Sequence, residues 1–273
     1  MNIKIAIGSL TILMFLIVSL VLSLIPGAID PFSQNLSKEF SPAETGHILG
    51  FGENGVDVFS QVLWSAKFSL SLSVFSVLFA LVVGTVFGFM AAWYSSWYEF
   101  VFLRVVEVFE SFPGILLVVA MAAFLGPSPK NIFIVLVLNS WVGFAKMTRV
   151  LVLRLKNVDF VMAGKAIGVG TPKLFWSYIR PSIQSELGVL MAQSMGSALI
   201  VESSLSYLGL GFPPATPSWG GMLNQAREVI VSAPHVILVP SFCIFLSTFS
   251  FQLIGEGLRQ NHDGKVQQPG TPI

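Results

Sequence analysis

The sequence predicts an all-α polytopic membrane protein with six transmembrane helices. Three observations carry this. Hydrophobic residues make up 54% of the 273 residues and charged residues only 11%, against roughly 25% charged in an ordinary soluble domain. The apolar residues fall in runs without Asp, Glu, Lys or Arg, at 5–29, 68–98, 111–129, 131–145, 187–201 and 229–255. These runs are continuous and do not alternate with period two, which speaks against a β-barrel. The same composition excludes a disordered chain and a coiled coil. A net charge of +1 excludes nucleic-acid binding that rests on basic charge. A single cysteine, Cys243, excludes an intrachain disulfide and a cysteine-based zinc cluster.

A helix needs about 20 apolar residues to cross the bilayer core. The first, 5–26, follows Lys4, so a signal peptide cut near Ala28 competes with an uncleaved helix. Its apolar stretch is longer than the roughly 7–15 residues of a signal peptide, which favours the uncleaved helix. The 27–66 segment carries Asp30, Glu39, Glu44, Glu53 and Asp57 against Lys38. The second helix, 67–93, holds Gly84 and Gly88 in a GxxxG spacing. Small residues let helices approach closely, within the subunit or against a second one. The third, 103–125, contains Glu107 and Glu110, with Arg104 one turn before Glu107. The fourth is 131–150. The fifth, 183–208, holds Ala192 and Gly196 at the small-residue spacing, and Glu202. The sixth is 234–256. The remainder, 259–273, is a tail whose polar, Gly- and Pro-containing composition is that of a disordered end.

Orientation follows from Lys and Arg. The segment between the fourth and fifth helices carries Lys146, Arg149, Arg154, Lys156, Lys165, Lys173 and Arg180. With an even number of spans, that segment and both termini face the cytoplasm. The acidic 27–66 loop and the 209–233 loop face outside.

The cytoplasmic segment 151–182 is the most informative. Phe160, Val161, Ala163, Ala166 and Ile167 fall at helical spacings. Gly168 and Gly170 stop that helix. Thr171 as N-cap and Pro172 at the first helical position start another. Such a unit suits either a soluble partner or the anionic lipid surface. In the 209–220 segment, Gly209 and Gly211 can end the fifth helix with positive φ. Pro213, Pro214 and Pro217 stiffen the chain beyond that helix end, and Trp219 suits a membrane–water interface. This reads as a rigid outer cap or as a docking point for an external binding protein. An acid within a span usually faces water or the bundle interior. Glu202 is therefore a candidate for the wall of a translocation path.

Residues Met162-Ala163-Gly164-Lys165-Ala166-Ile167-Gly168, with Pro181 about a dozen residues on, resemble the EAA loop of ATP-binding-cassette (ABC) importer permeases. The sequence from Ser206 through Gly209, Gly211, Pro213, Pro214, Pro217 and Trp219 to Gly220 resembles the signature of one branch. That branch is the second permease subunit of the dipeptide, oligopeptide and nickel importers. Gly55, Asp57, Val58, Phe59 and Ser60 match a further element, and Phe112-Pro113-Gly114 a fourth. The resemblance runs in register from about residue 49 to 258. It implies the type I ABC importer permease fold in a bacterial inner membrane. It implies a second permease subunit, two ABC ATPase subunits and an extracytoplasmic solute-binding protein as partners. It assigns ATPase coupling to Met162, Ala163, Gly164, Gly168 and Pro181, and helical spacing adds Asp159 as a candidate. Met162 stands where the family has glutamate. Asp159, about one turn upstream, is a substitute acid.

The resemblance implies short peptides as cargo, with nickel or its chelates as the alternative. A stand-alone channel and a non-transporting interaction subunit are the readings outside this family. The sequence holds no HExxH, no GxSxG and no GxxxxGK[ST] loop. The expectation is therefore a non-enzymatic subunit with no metal or cofactor of its own, ATP and Mg²⁺ sitting in the ATPase partners.

Overall fold

The computed structural model describes residues 3–24, 32–94, 96–213 and 216–266. Among them the regular structure is helical, joined by turns and loops, with isolated bridges only in the loop before α2. The helices are α1 (Ile3–Leu24), α2 (Val58–Trp93), α3 (Ser96–Glu110), α4 (Gly114–Leu125), α5 (Pro129–Leu155), α6 (Asp159–Ala166), α7 (Thr171–Leu174), α8 (Arg180–Tyr207), α9 (Trp219–Ala226) and α10 (Pro234–Val266). A π-helical turn, Phe175–Ile179, joins α7 to α8.

Helix α2 is the centre of the bundle. It packs most extensively on α5, and also on α8 and α1, while α10 packs on α8 and α1. The GxxxG spacing explains the first contact. A Cβ on Gly84 would lie 2.6 Å from the Trp141 carbonyl oxygen, and one on Gly88 2.2 Å from that of Ala145. The pair serves packing within this chain. Ala192 and Gly196 do the same for α8 against Gly255, Thr248 and Phe251 of α10.

Four helices, α1, α2, α5 and α10, are long and apolar enough to cross a membrane. The count is five if α3 and α4, bent by 84°, form one span. The expected six is not reached on these criteria. The shortfall is α8: its 28 residues suffice in length, but Gln184, Glu186, Gln193, Glu202 and several serines make it too polar.

Several boundaries differ from expectation, each for a local reason. Helix α2 starts at Val58 rather than 67. Asp57 caps it, accepting from the Ser60 N–H at 2.7 Å. Its first turns are polar because they pack on α9, with Ser65 bonded to Met222 and Gln61 to Gln225. The single expected helix 103–125 is two helices, since Pro113 has no N–H to continue the ladder. Helix α5 continues to Leu155, past the expected end at 150. Thr171 is the first residue of α7 and Gly170 its N-cap. Helix α10 does not end at 256: it runs to Val266, through most of the expected tail. There Glu256 pairs with Lys4 at 3.6 Å and Gly257 closes on Ile5. Ala28, Pro214 and residues 267–273 lie outside the described residues.

Candidate functional site

The 156–181 unit is built on the C-terminal end of α2. The last carbonyls of a helix carry partial negative charge and lack intrahelical partners. Lys156 supplies one cation there, donating to the Ala92 and Trp93 carbonyls at 3.0 and 3.3 Å. Lys165 donates to the Lys156 carbonyl at 3.2 Å and lies 4.3 Å from the Trp93 ring centroid. Partial burial, and then the Lys156 charge, hold Lys165 below the usual lysine range. Phe89 of α2 meets Phe175 of the π turn at 4.7 Å. These residues tie the 156–179 segment to a membrane helix. Their partners lie tens of residues away in sequence, so no local pattern exposed them.

Within the unit, Val161, Leu174 and Ile179 are fully buried. Gly164 is buried because α6 lies directly on α7: a Cβ there would stand 2.8 Å from a Leu174 methyl. Gly168, at φ +78°, turns the chain after α6 with a backbone that favours glycine. Pro181 sits in the first turn of α8, where a missing N–H costs nothing. Asp159, Phe160, Met162, Ala163, Ala166 and Ile167 are all exposed. Of the expected apolar face of α6, only Val161 turns inward. The rest presents bare apolar surface, with Ile167 78% exposed.

The 206–220 signature segment is a second built unit. Helix α8 ends in a Schellman turn: Leu210 N–H donates to the Leu205 carbonyl and Gly209 N–H to that of Ser206. Gly209 takes φ +77°, as expected. Gly211 does not have positive φ. It is required by proximity, since a Cβ would fall 1.9 Å from Ser206 Oγ. Gly220 likewise brings α9 to within 2.3 Å of the Ser203 carbonyl, measured from a would-be Cβ. Pro213 and Pro217 are half-buried.

Trp219 corrects the sequence expectation. It is fully buried, so its ring faces neither lipid nor water. Its indole N–H donates to the Val62 carbonyl at 3.0 Å, its backbone N–H to Ser69 Oγ at 3.3 Å, and its ring meets Phe15 edge-on at 5.7 Å. Glu202 is also fully buried, so it lines no wall of this chain in this structure. Ser206 Oγ donates to its Oε1 at 2.9 Å and Ser203 Oγ to its Oε2 at 3.3 Å. Ser69 of α2 is a third hydroxyl beside it. The network Trp219–Ser69–Glu202–Ser206 joins α9, α2 and α8.

The loop before α2 is pinned by polar contacts. His47 Nδ1 and Asp57 Oδ2 are 2.7 Å apart, and Lys38 pairs with Glu44. Burial, then the charges of Glu39 and Glu228, push Glu53 above the usual carboxylate range. An acid raised by folding is under strain above its folded value. That strain disappears as pH falls below the ordinary value of 4.5. Glu53→Gln is therefore expected to raise the thermal midpoint of the purified complex at pH 7, with the gain absent below pH 4.5. An equal gain at both pH values would contradict this.

Among the described residues no group of three His, Cys, Asp or Glu could hold a metal ion. Elsewhere Arg104 pairs with Glu107 at 2.5 Å, as the one-turn spacing suggests, and Lys146 pairs with Glu110 at 2.7 Å.

Residues 84–267 match the family described as the binding-protein-dependent transport system inner membrane component. The chain belongs to that family. This inner membrane component of a binding-protein-dependent system is a permease subunit of an ABC importer, and it works with partner subunits. It is 42% identical over 221 residues to the glutathione transport system permease protein GsiD of Salmonella typhimurium, covering 81% of this chain and 73% of that protein. It is 37% identical over 263 residues to the protein of the same name from Shigella flexneri, covering 95% and 87%. The matched region contains the 156–181 unit and the 202–220 segment, while Ser69 and Val62, which hold Trp219, precede it.

Proposed function

We propose that this permease subunit carries short peptides, glutathione-like tripeptides among them, inward across the bacterial inner membrane. It is one half of a pathway completed by a second permease subunit. Two ABC ATPase subunits bind the face formed by α6, and an extracytoplasmic solute-binding protein delivers the cargo. The observation that carries the reading is α6 itself: Phe160, Met162 and Ala163 are bare on its exposed face, Gly164 packs on Leu174 of α7, and Lys165 reaches the Trp93 ring at the end of α2. A helix held in this way can pass a push from a soluble partner to the central membrane helix as a rigid-body movement. The names of the GsiD relatives support the cargo class.

In this reading α8 is the sixth span, sheltered from lipid on its polar positions by protein or water. Both termini are cytoplasmic, with Lys156, Lys165, Lys173 and Arg180 on the inner side. The outer segment, including Gly209, Gly211, Pro213, Pro214, Pro217 and Trp219, is the rigid cap on which the binding protein rests. ATP and Mg²⁺ belong to the ATPase subunits, and this chain catalyses no covalent step.

Coupling would use Asp159, Met162, Ala163, Gly164, Gly168 and Pro181. Gly164, Gly168 and Pro181 shape the unit, and Asp159, Met162 and Ala163 form its contact face. Asp159→Asn is expected to lower the ATPase subunits recovered with tagged permease by about tenfold, since a rim charge then lacks its partner. Unchanged recovery would remove Asp159 from the interface. Uptake of a labelled dipeptide by the reconstituted importer, dependent on ATP, tests the reading as a whole.

A further inference from the structure

The break between α3 and α4 lies deep in the membrane. Helix α4 has 12 residues, about 18 Å at 1.5 Å per residue, while the apolar layer is about 30 Å thick. Its far end is fixed to the outer end of α5, where Asn131 Nδ2 donates to the Leu125 and Gly126 carbonyls at 2.7 and 3.0 Å. Its near end, Gly114, faces Asn139, about one turn before the middle of α5. The non-helical residues Ser111 to Pro113 therefore sit near the bilayer mid-plane.

A cavity of about 420 Å³ opens there, lined by Glu110, Phe112, Gly114, Asn139, Val142 and Gly143 among others. Asn139 is exposed. Glu110 of this lining pairs with Lys146, and both side chains are half exposed. Irregular backbone at this depth is tolerated only where it is buried in protein or borders water. Exposed ionised groups obey the same rule. The α3–α4 crook therefore does not face lipid.

We propose that this crook is the wall that the subunit contributes to the translocation path, and that Glu110 and Lys146 there contact a zwitterionic solute. The pair opens to the solute's two ends: Glu110 meets its ammonium and Lys146 its carboxylate, while the Asn139 carboxamide hydrogen-bonds the peptide group between them. The inference rests on the importer reading above and names the part of the chain that touches cargo.

The test uses membranes holding the assembled importer with Cys243→Ala in this chain. Asn139→Cys is compared with Phe245→Cys, which lies on an exposed aromatic strip of α10. The probe is a cationic, membrane-impermeant methanethiosulfonate. Asn139→Cys is expected to react at least about tenfold faster, because only a water-accessible thiol ionises and is reached. A saturating zwitterionic dipeptide is expected to slow it. Equal rates, or no protection by the dipeptide, would overturn the proposal. In proteoliposomes, Glu110→Gln is expected to raise the uptake KM of the free dipeptide by about tenfold, and that of its N-acetylated form far less. Lys146→Gln should show the same contrast for a C-amidated dipeptide. Equal effects on both forms would remove the charge pair from the site. If the wild-type importer took up no dipeptide while Asn139→Cys still reacted fast, the cargo reading would fall and the water-lined wall would stand.

Discussion

Gly88→Leu is expected to prevent assembly of a stable permease. The Gly88 Cα faces the α5 backbone so closely that a Cβ would lie 2.2 Å from the Ala145 carbonyl oxygen and 3.0 Å from its Cα. Backbone atoms in a helix cannot rotate aside as a flexible side chain can. The two helices must separate, and the tightest contact of the bundle goes with them. Overpacking in a filled core costs about 1–3 kcal/mol, and a clash with backbone belongs at or above the upper end. The measurement is the yield and thermal midpoint of the tagged complex in mild detergent. Gly188→Ala is the control: its Cβ would meet Leu258 at an ordinary 3.7 Å. Replacing glycine within a helix by alanine favours the helix by about 1 kcal/mol. A Gly88→Leu complex with the wild-type midpoint would show that α2 and α5 do not pack as described.

Glu202→Leu is expected to be the second most damaging change. It removes the acceptors for Ser206 and Ser203 and the partner beside Ser69, all within a fully buried space. Each buried polar group left without a partner costs about 1–3 kcal/mol. The loss is also expected to loosen α9, because Ser69 holds the Trp219 backbone. Glu202→Gln is expected to stay within about 1 kcal/mol of wild type. A carboxamide offers both a donor and an acceptor, and a serine hydroxyl can serve either. Thermal unfolding of both variants, with dipeptide uptake as the second readout, separates a structural acid from a pathway acid. A stable Glu202→Gln complex that had lost transport would return Glu202 to the pathway.

Much of this was legible in the residues. The charge-free runs marked α1, α2, α5 and α10, because a bilayer selects long apolar segments whatever their neighbours. The 162–168 and 206–220 motifs pointed to the importer family, and the glycines within them to turns. Other features depended on partners remote in sequence. Lys156 and Lys165 bond and pack against the end of α2, over sixty residues away. Gly211 read as a turn former, yet its role, like that of Gly220, is close contact with a serine, Ser206 for the one and Ser203 for the other. Trp219 read as an interfacial anchor because amphipathic rings suit that zone. Its indole N–H instead found a buried carbonyl.

By itself the sequence determined that the chain lives in a membrane, where most of its helices lie and which family it joins. These depend on composition, run length and short motifs, all properties of neighbouring residues. The tertiary structure decided that Glu202 is a buried joint, that the 156–179 segment is tied to the end of α2, and that the third expected helix breaks by 84° beside an open cavity that Glu110 and Asn139 line. Burial, close approach and depth are relations between segments far apart in the chain. Hydropathy along one segment does not contain them.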